Sequence, residues 1–235
     1  MSTAATVSYA IKTLLAQHPS VALPLQRLRR RGEVLAEDTE VVIESFPRCA
    51  SSFAVAAFRL AQEPHASRIA HHTHAPAQVL AAVRRGVPTL VLIRAPEDAV
   101  LSHVIHTPSL TPAASLRGYV RFHEPLLPHR DGFVVATFDQ VVSDFGAVIE
   151  RLNARFGTTF RPFEHRPEHL ARIDREIDED YRSRARSGEE LDRTVPLPSE
   201  RRRELKDRLR TAYRAAPEGL RRRAERAFAA LAASA

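Results

Sequence analysis

The chain holds a single cysteine, Cys49, so no internal disulfide can form, and this fits a reducing compartment. No apolar run approaches the roughly 20 residues that a membrane span needs. The opening stretch, MSTAATVSYAIKTLLAQ, lacks the basic start and long apolar centre of a secretory signal, so the expected location is cytoplasmic. Lysine is nearly missing: Lys12 and Lys206 are the only two, and arginine carries the basic charge. No G-x4-G-K-[ST] sequence occurs, which argues against an ordinary ATP or GTP enzyme. Internal repeats and low-complexity linkers are also lacking.

What is present describes a globular chain. With 44% hydrophobic and 27% charged residues, disorder is excluded, and a length of 235 residues suits one α/β domain over 1–235. The net charge of +7 favours acidic ligands. Much of it sits at Arg27, Arg29–Arg31, Arg201–Arg203 and Arg221–Arg223. Nucleic acid is one reading of such clusters. Solvated arginines on helix faces are the plainer one, because charge alone speaks to solubility and nonspecific binding.

Hydrophobic patterning gives a coarse order of elements. Residues 7–17 and 21–36 read as helices, the second broken near Pro24. Strands are expected over 40–46, around 68–70, over Thr89–Ile93 and over 132–138. Helices are expected over 52–62, over 77–85 with Gly86 as its stop, from Pro96 to His106, over 115–127 and over 143–156. Residues 160–195 are charged and weakly patterned, and read as a loop or lid. A long basic helix opens after Pro198–Ser199. Apolar strands alternating with helices predict a three-layer α/β domain, a mainly parallel sheet with helices on both faces. Ligands of such sheets bind beyond the carboxyl ends of the strands, which singles out loops 46–52, 71–76 and 94–102.

Those loops carry the chemistry. VVIESFPRCASSFAVAAFRL over 41–60 reads as strand, short loop and helix N-terminus, a corner whose backbone N–H groups and helix dipole seat an anion. Arg48, Ser51 and Ser52 in that corner point to phosphate or sulfate. In IRAPEDAVLS, Arg94 follows a strand directly and Ser102 lies eight residues on, so a guanidinium fork and a hydroxyl can hold one anion. Pairing of Arg94 with Glu97 or Asp98 is the structural alternative. The run His71, His72, Thr73, His74 offers a general base or, less well, a His-x-His metal chelate without acidic or cysteine companions. Cys49 beside Arg48 at a helix start has the setting of a low-pKa thiol. A Cys-x5-Arg phosphatase loop would need arginine where Val55 stands, so that reading fails.

PRCASSF (47–53), HTHAP (72–76) and IRAPEDAVLS (93–102), in this order, resemble the sulfotransferases that use 3′-phosphoadenosine 5′-phosphosulfate (PAPS). The likeness spans about 40–157. It implies the P-loop-like fold of that family and transfer of a sulfuryl group to a hydroxyl or amine, with PAPS as donor and no metal. By resemblance, Arg48 meets the 5′-phosphosulfate, with Cys49, Ala50, Ser51 and Ser52 lining the loop. Arg94 and Ser102 hold the 3′-phosphate, and Phe53 sits where an aromatic approaches the adenine. His74 matches the histidine of a K-T-H segment and would be the general base, with His72 in place of the lysine. ARSGEEL (185–191) stands where a glycine-rich basic segment closes on the nucleotide, giving Arg186 and Gly188 a role there.

The loop also departs from the family: Cys49 and Ala50 replace Ser and Gly. A positive φ at position 50 would cost alanine about 1–2 kcal/mol. A catalytically silent protein binding a 3′-phosphonucleotide or polyanion is therefore the alternative. The expected partner is a small-molecule, glycan or lipid acceptor and not nucleic acid. Leu205, Leu209, Phe228 and Leu231 of the C-terminal helix would pack on the chain's own core or in a homodimer.

Overall fold

The computed structural model describes residues 3–29, 32–185, 187–195 and 200–235. In chain order its elements are α1 (Thr3–Leu15), α2 (Pro19–Arg29), β1 (Val41–Ser45), α3 (Ser51–Gln62), β2 (Ile69–His71), α4 (Pro76–Arg84), β3 (Thr89–Ile93), α5 (Pro96–His106) and α6 (Pro112–His123). A 3₁₀ segment, Glu124–Gly132, leads to β4 (Val134–Thr137), α7 (Phe138–Ser143), α8 (Phe145–Phe156), α9 (Pro167–Arg184), α10 (Gly188–Thr194), α11 (Glu200–Arg214) and α12 (Glu218–Ala232).

The four strands form one sheet in the order β2-β1-β3-β4, and every neighbouring pair is parallel. β1 and β3 are buried along their whole length, so their apolar side chains can face both layers. Right-handed crossovers place α3 and α4 on opposite faces. On one side α3 packs against α7 and α9; on the other α4 packs against α2 and the 3₁₀ segment. The chain winds outward from β1 to β2, then returns past β1 to β3. Their carboxyl ends are therefore a topological switch point, the place where ligands of such sheets bind. The loops that sequence reading singled out end there.

Three expectations are corrected. Residues 160–195 are not mainly loop: Leu170, Ile173, Ile177 and Tyr181 fall three and four apart, and this narrow stripe docks the 18-residue helix α9 on the core among otherwise charged positions. The helix expected over 143–156 begins earlier and breaks at Asp144. Thr137 and Gln140 form a capping box for α7, while the Asp144 carboxylate accepts from Ala147 N at 3.2 Å and starts α8. The helix expected to reach Leu127 ends at His123 and tightens into the 3₁₀ segment. Gly86, at φ 68°, ends the turn after α4 in the left-handed region, as its position implied.

Candidate functional site

β1 ends at Ser45 and α3 begins at Ser51, leaving Phe46–Ala50 to turn the chain. Phe46 is fully buried and its ring packs edge-on against Tyr119 and His103, which anchors the turn to the core. Arg48 and Ala50 both lie in the left-handed region, at φ 71° and 69°. Ala50 occupies the N-cap position of α3 and supplies no side-chain cap, so the first N–H groups of the helix are left to a ligand or solvent. The Cys49 side chain is buried against the core and burial pushes its thiol up to about 12. It is not a low-pKa nucleophile, and within the loop only its backbone can serve an anion.

A carboxylate holds the second loop. Glu44 stands in the middle of the sheet, wholly buried. Its Oε1 accepts from Ser45 N at 3.0 Å and His74 N at 3.2 Å; its Oε2 accepts from Thr73 N at 3.0 Å, the Thr73 hydroxyl at 2.5 Å and Gln78 Nε2 at 3.2 Å. Five donors on one side chain fix the turn in which His72 and His74 take left-handed φ of 55° and 51°. Burial pushes the Glu44 carboxyl up to about 7, and the donors, the Thr73 hydroxyl first, pull it back. Sequence reading passed over Glu44. The signal was present: an acidic residue inside an otherwise apolar strand has to be satisfied by something.

The histidines of this loop have fixed orientations. His74 Nδ1 lies 2.9 Å from the Ser45 carbonyl, which can only accept. The neutral ring therefore carries its proton on Nδ1 and leaves Nε2 as the basic nitrogen. Arg59 Nη2 lies 3.0 Å from His71 Nε2, and a guanidinium can only donate. Neutral His71 is then protonated on Nδ1 and donates across 2.7 Å to His72 Nδ1. His72 in turn donates from Nε2 to Ser52 Oγ at 3.4 Å. The Ser52 hydroxyl, thus engaged as an acceptor, keeps its own proton to give to a ligand. Ser51 is buried beside it. Among the described residues no three His, Cys, Asp or Glu side chains come together to hold a metal ion.

At the end of β3 three guanidinium groups converge. Ser102, 4% exposed on α5, accepts from Arg48 Nε and from Arg202 Nη2, both at 3.3 Å. Arg94 Nη1 donates to the Arg48 carbonyl at 3.1 Å, and its guanidinium lies 3.8 Å over the Phe138 ring. The Arg94 carbonyl is held by the Tyr119 hydroxyl at 2.8 Å. Arg48 also reaches Tyr181 Oη at 3.4 Å and the Thr194 carbonyl at 3.0 Å, and Arg202 the Val195 carbonyl at 3.0 Å. Among the described residues neither Arg48 nor Arg94 has a carboxylate partner. Burial, then the nearby charges of Arg48 and Arg94, pulls Arg202 down to about 10. Glu97 and Asp98, the alternative partners for Arg94, instead pair with Arg210 at 2.8 Å and Lys206 at 2.9 Å, clamping α11 to the first turn of α5. This clamp is what brings Arg202 to the site. Sequence reading gave Arg201–Arg203 as a nucleic-acid patch or, more plainly, solvated charge; the one buried member cannot be told from its neighbours without the fold.

The remaining expected residues fall into place as follows. The Arg48 guanidinium, expected to meet a 5′-phosphosulfate, lies beside Ser102. Phe53 lies against Phe163 and the His165 ring, whose Nε2 is buried without a partner. Gly188 opens α10, with open space where a Cβ would stand. Arg186 lies outside the described residues. His103, buried and bonded to Ser115 Oγ at 2.9 Å, is held down to about 3 by burial first and so stays neutral.

Taken together, the fold and site define a doubly wound α/β domain with an uncapped helix start and a cluster of three arginines at the carboxyl ends of its strands. No protein-family model matches the chain, and no curated protein matches it. Among solved structures, the chain is similar to mouse sulfotransferase SULT7A1 complexed with PAP, at 13% identity and a TM-score of 0.44, over 82% of this chain and 89% of that one. The functional reading below rests on this chain's own residues.

Two outcomes follow from the loops. Ala50→Gly removes a left-handed alanine and should stabilise the protein by about 0.5–1 kcal/mol in urea unfolding; no gain would mean that the turn is relaxed. Glu44 has a folded pKa above its unfolded value of 4.5. Its native state therefore holds the proton more tightly, and stability falls as pH rises from about 4.5 to about 7. The stability advantage of wild type over Glu44→Gln should shrink by about 3 kcal/mol across that window, and an advantage that grows with pH would show the ionised carboxylate to be the favoured native form.

Proposed function

We propose that the chain is a sulfotransferase that moves a sulfuryl group from PAPS to a hydroxyl or amine. The observation that carries this reading is the convergence of Arg48 and Arg202 on Ser102, with Arg94 bonded to the Arg48 carbonyl, next to the uncapped start of α3. Like charges brought together among buried groups repel, and an anion of high charge relieves them. One nucleotide bearing a 5′-phosphosulfate and a 3′-phosphate would fill both seats. The start of α3 and the Ser52 hydroxyl suit the 5′ group. Arg94, Arg202 and Ser102 suit the 3′-phosphate, with Arg48 between the two. Phe53 and His165 offer a ring face and a buried nitrogen to a base.

PAPS would supply an activated sulfuryl group, and the residues of this chain would position it and move the proton. His74 Nε2, the basic nitrogen of the neutral ring because Nδ1 donates to the Ser45 carbonyl, takes the acceptor proton as the acceptor oxygen or nitrogen bonds to sulfur. The bond from sulfur to the bridging phosphate oxygen breaks, and charge developing on the 5′-phosphate is met by Arg48 and the helix N-terminus. The strained loop favours a second reading, a silent nucleotide-binding protein, because Ala50 holds a left-handed conformation where glycine would be free.

Arg94→Ala should weaken 3′,5′-adenosine bisphosphate by about tenfold or more in calorimetric titration and leave 5′-AMP nearly unchanged. Equal losses for both nucleotides would sink the 3′-phosphate assignment. His74→Ala should keep bisphosphate affinity and abolish transfer in an acceptor screen. Tight binding by wild type with no transfer to any acceptor would favour the silent reading.

A further inference from the structure

The N-terminal helices are amphipathic the wrong way round for a soluble pair. In α1, Val7, Ile11, Leu14 and Leu15 recur at helical spacing and face outward, Val7 and Ile11 at 51% and 53% exposure. The face that packs on the domain is small or polar. Tyr9 lies over Gly118 and against His103, the Ala10 carbonyl and Thr13 hydroxyl accept from Arg121, and Ala16 joins Ala22, Ala75 and Ala77 in a small cluster. In α2, Val21, Leu25 and Leu28 repeat the pattern, with Leu28 at 81%. Of the large hydrophobic side chains exposed among the described residues, only Val142 lies outside these two helices.

The charged residues of this segment have one sign. Residues 1–32 contain Lys12, Arg27, Arg29, Arg30 and Arg31 and no aspartate or glutamate. Lys12 and Arg27 are exposed and adjoin Ile11 and Leu28 in the chain. An exposed aliphatic face on a segment whose charged residues are all cations fits an anionic lipid surface, where the apolar side chains enter the headgroup boundary and the cations meet phosphate. A two-fold contact with a second copy fits less well, since it would bring these cations together with no acidic residue of the same segment to answer them. Nucleic acid would use the cations, but the exposed stripe is aliphatic and gives bases no aromatic ring to stack on.

We infer that the outward face of α1 and α2 is a docking surface for an anionic lipid bilayer, on which the domain rests without spanning it. This inference does not depend on the sulfotransferase reading. Through Tyr9 and its contact with His103, the docking surface shares a helix with the flank of the candidate site.

The test is flotation of the full chain with vesicles of phosphatidylcholine containing about 30% phosphatidylglycerol, and with phosphatidylcholine alone, at about 150 mM salt. Partition into the anionic vesicles is expected, with a loss of about tenfold or more in Leu25→Ser/Leu28→Ser and in Ile11→Ser. These side chains are exposed, so the variants should keep the wild-type melting temperature, which is measured alongside. Three results would overturn the inference: no partition into either vesicle; partition abolished by salt and unaltered by the serine variants; or no partition together with a concentration-dependent dimer, seen by light scattering, that the same variants dissociate.

Discussion

The site depends on one buried carboxylate. Glu44 sits in the central pair of strands, where an ionisable group without partners would cost several kcal/mol. Five donors converge on it from three directions: its own strand, the Thr73–His74 turn and the Gln78 side chain of α4. Gln78 extends the network, since its Oε1 accepts from Leu35 N at 3.0 Å. The carboxylate thus ties the segment before the sheet, the end of β1 and the loop after β2 into one unit. The left-handed turns at His72 and His74 persist because these bonds leave the backbone little choice.

Around that fixed point the site is built from positive charge and oriented protons. The loop after β1 presents the start of α3, and the chain Arg59, His71, His72, Ser52 sets which way a hydroxyl proton can point. The loop after β3 presents Arg94, and Tyr119 and Phe138 hold it from either side. The third arginine comes from more than a hundred residues later in the chain, through α11, and two ion pairs to the first turn of α5 set its position. These elements meet only because the winding of the sheet reverses between β1 and β3.

Much of this was legible in the sequence, for reasons that can be named. The strands VVIES and TLVLI are unbroken apolar or β-branched runs but for Glu44 and Ser45, and α5 begins at the proline that announces it. The turn at 46–50 between β1 and α3 was legible because an apolar strand pattern stops there and a helical one restarts at Ser51. Other features stayed hidden because their cause is tertiary. α9 shows four apolar positions in a charged segment, a pattern that becomes a helix only once a core exists to receive it. Arg202 differs from Arg201 and Arg203 only in the direction in which α11 turns it. Glu44 was legible in principle, but its partners lie some thirty residues away and nothing local names them.

The central claim is that the two seats hold one bisphosphorylated nucleotide. The most direct measurement is a crystal structure of the protein with 3′,5′-adenosine bisphosphate. The account predicts the 5′-phosphate on the N–H groups at the start of α3, and the 3′-phosphate among Arg94, Arg202 and the Ser102 hydroxyl. A nucleotide bound elsewhere, or one that leaves both arginine contacts to Ser102 intact with its 3′-phosphate in solvent, would contradict it.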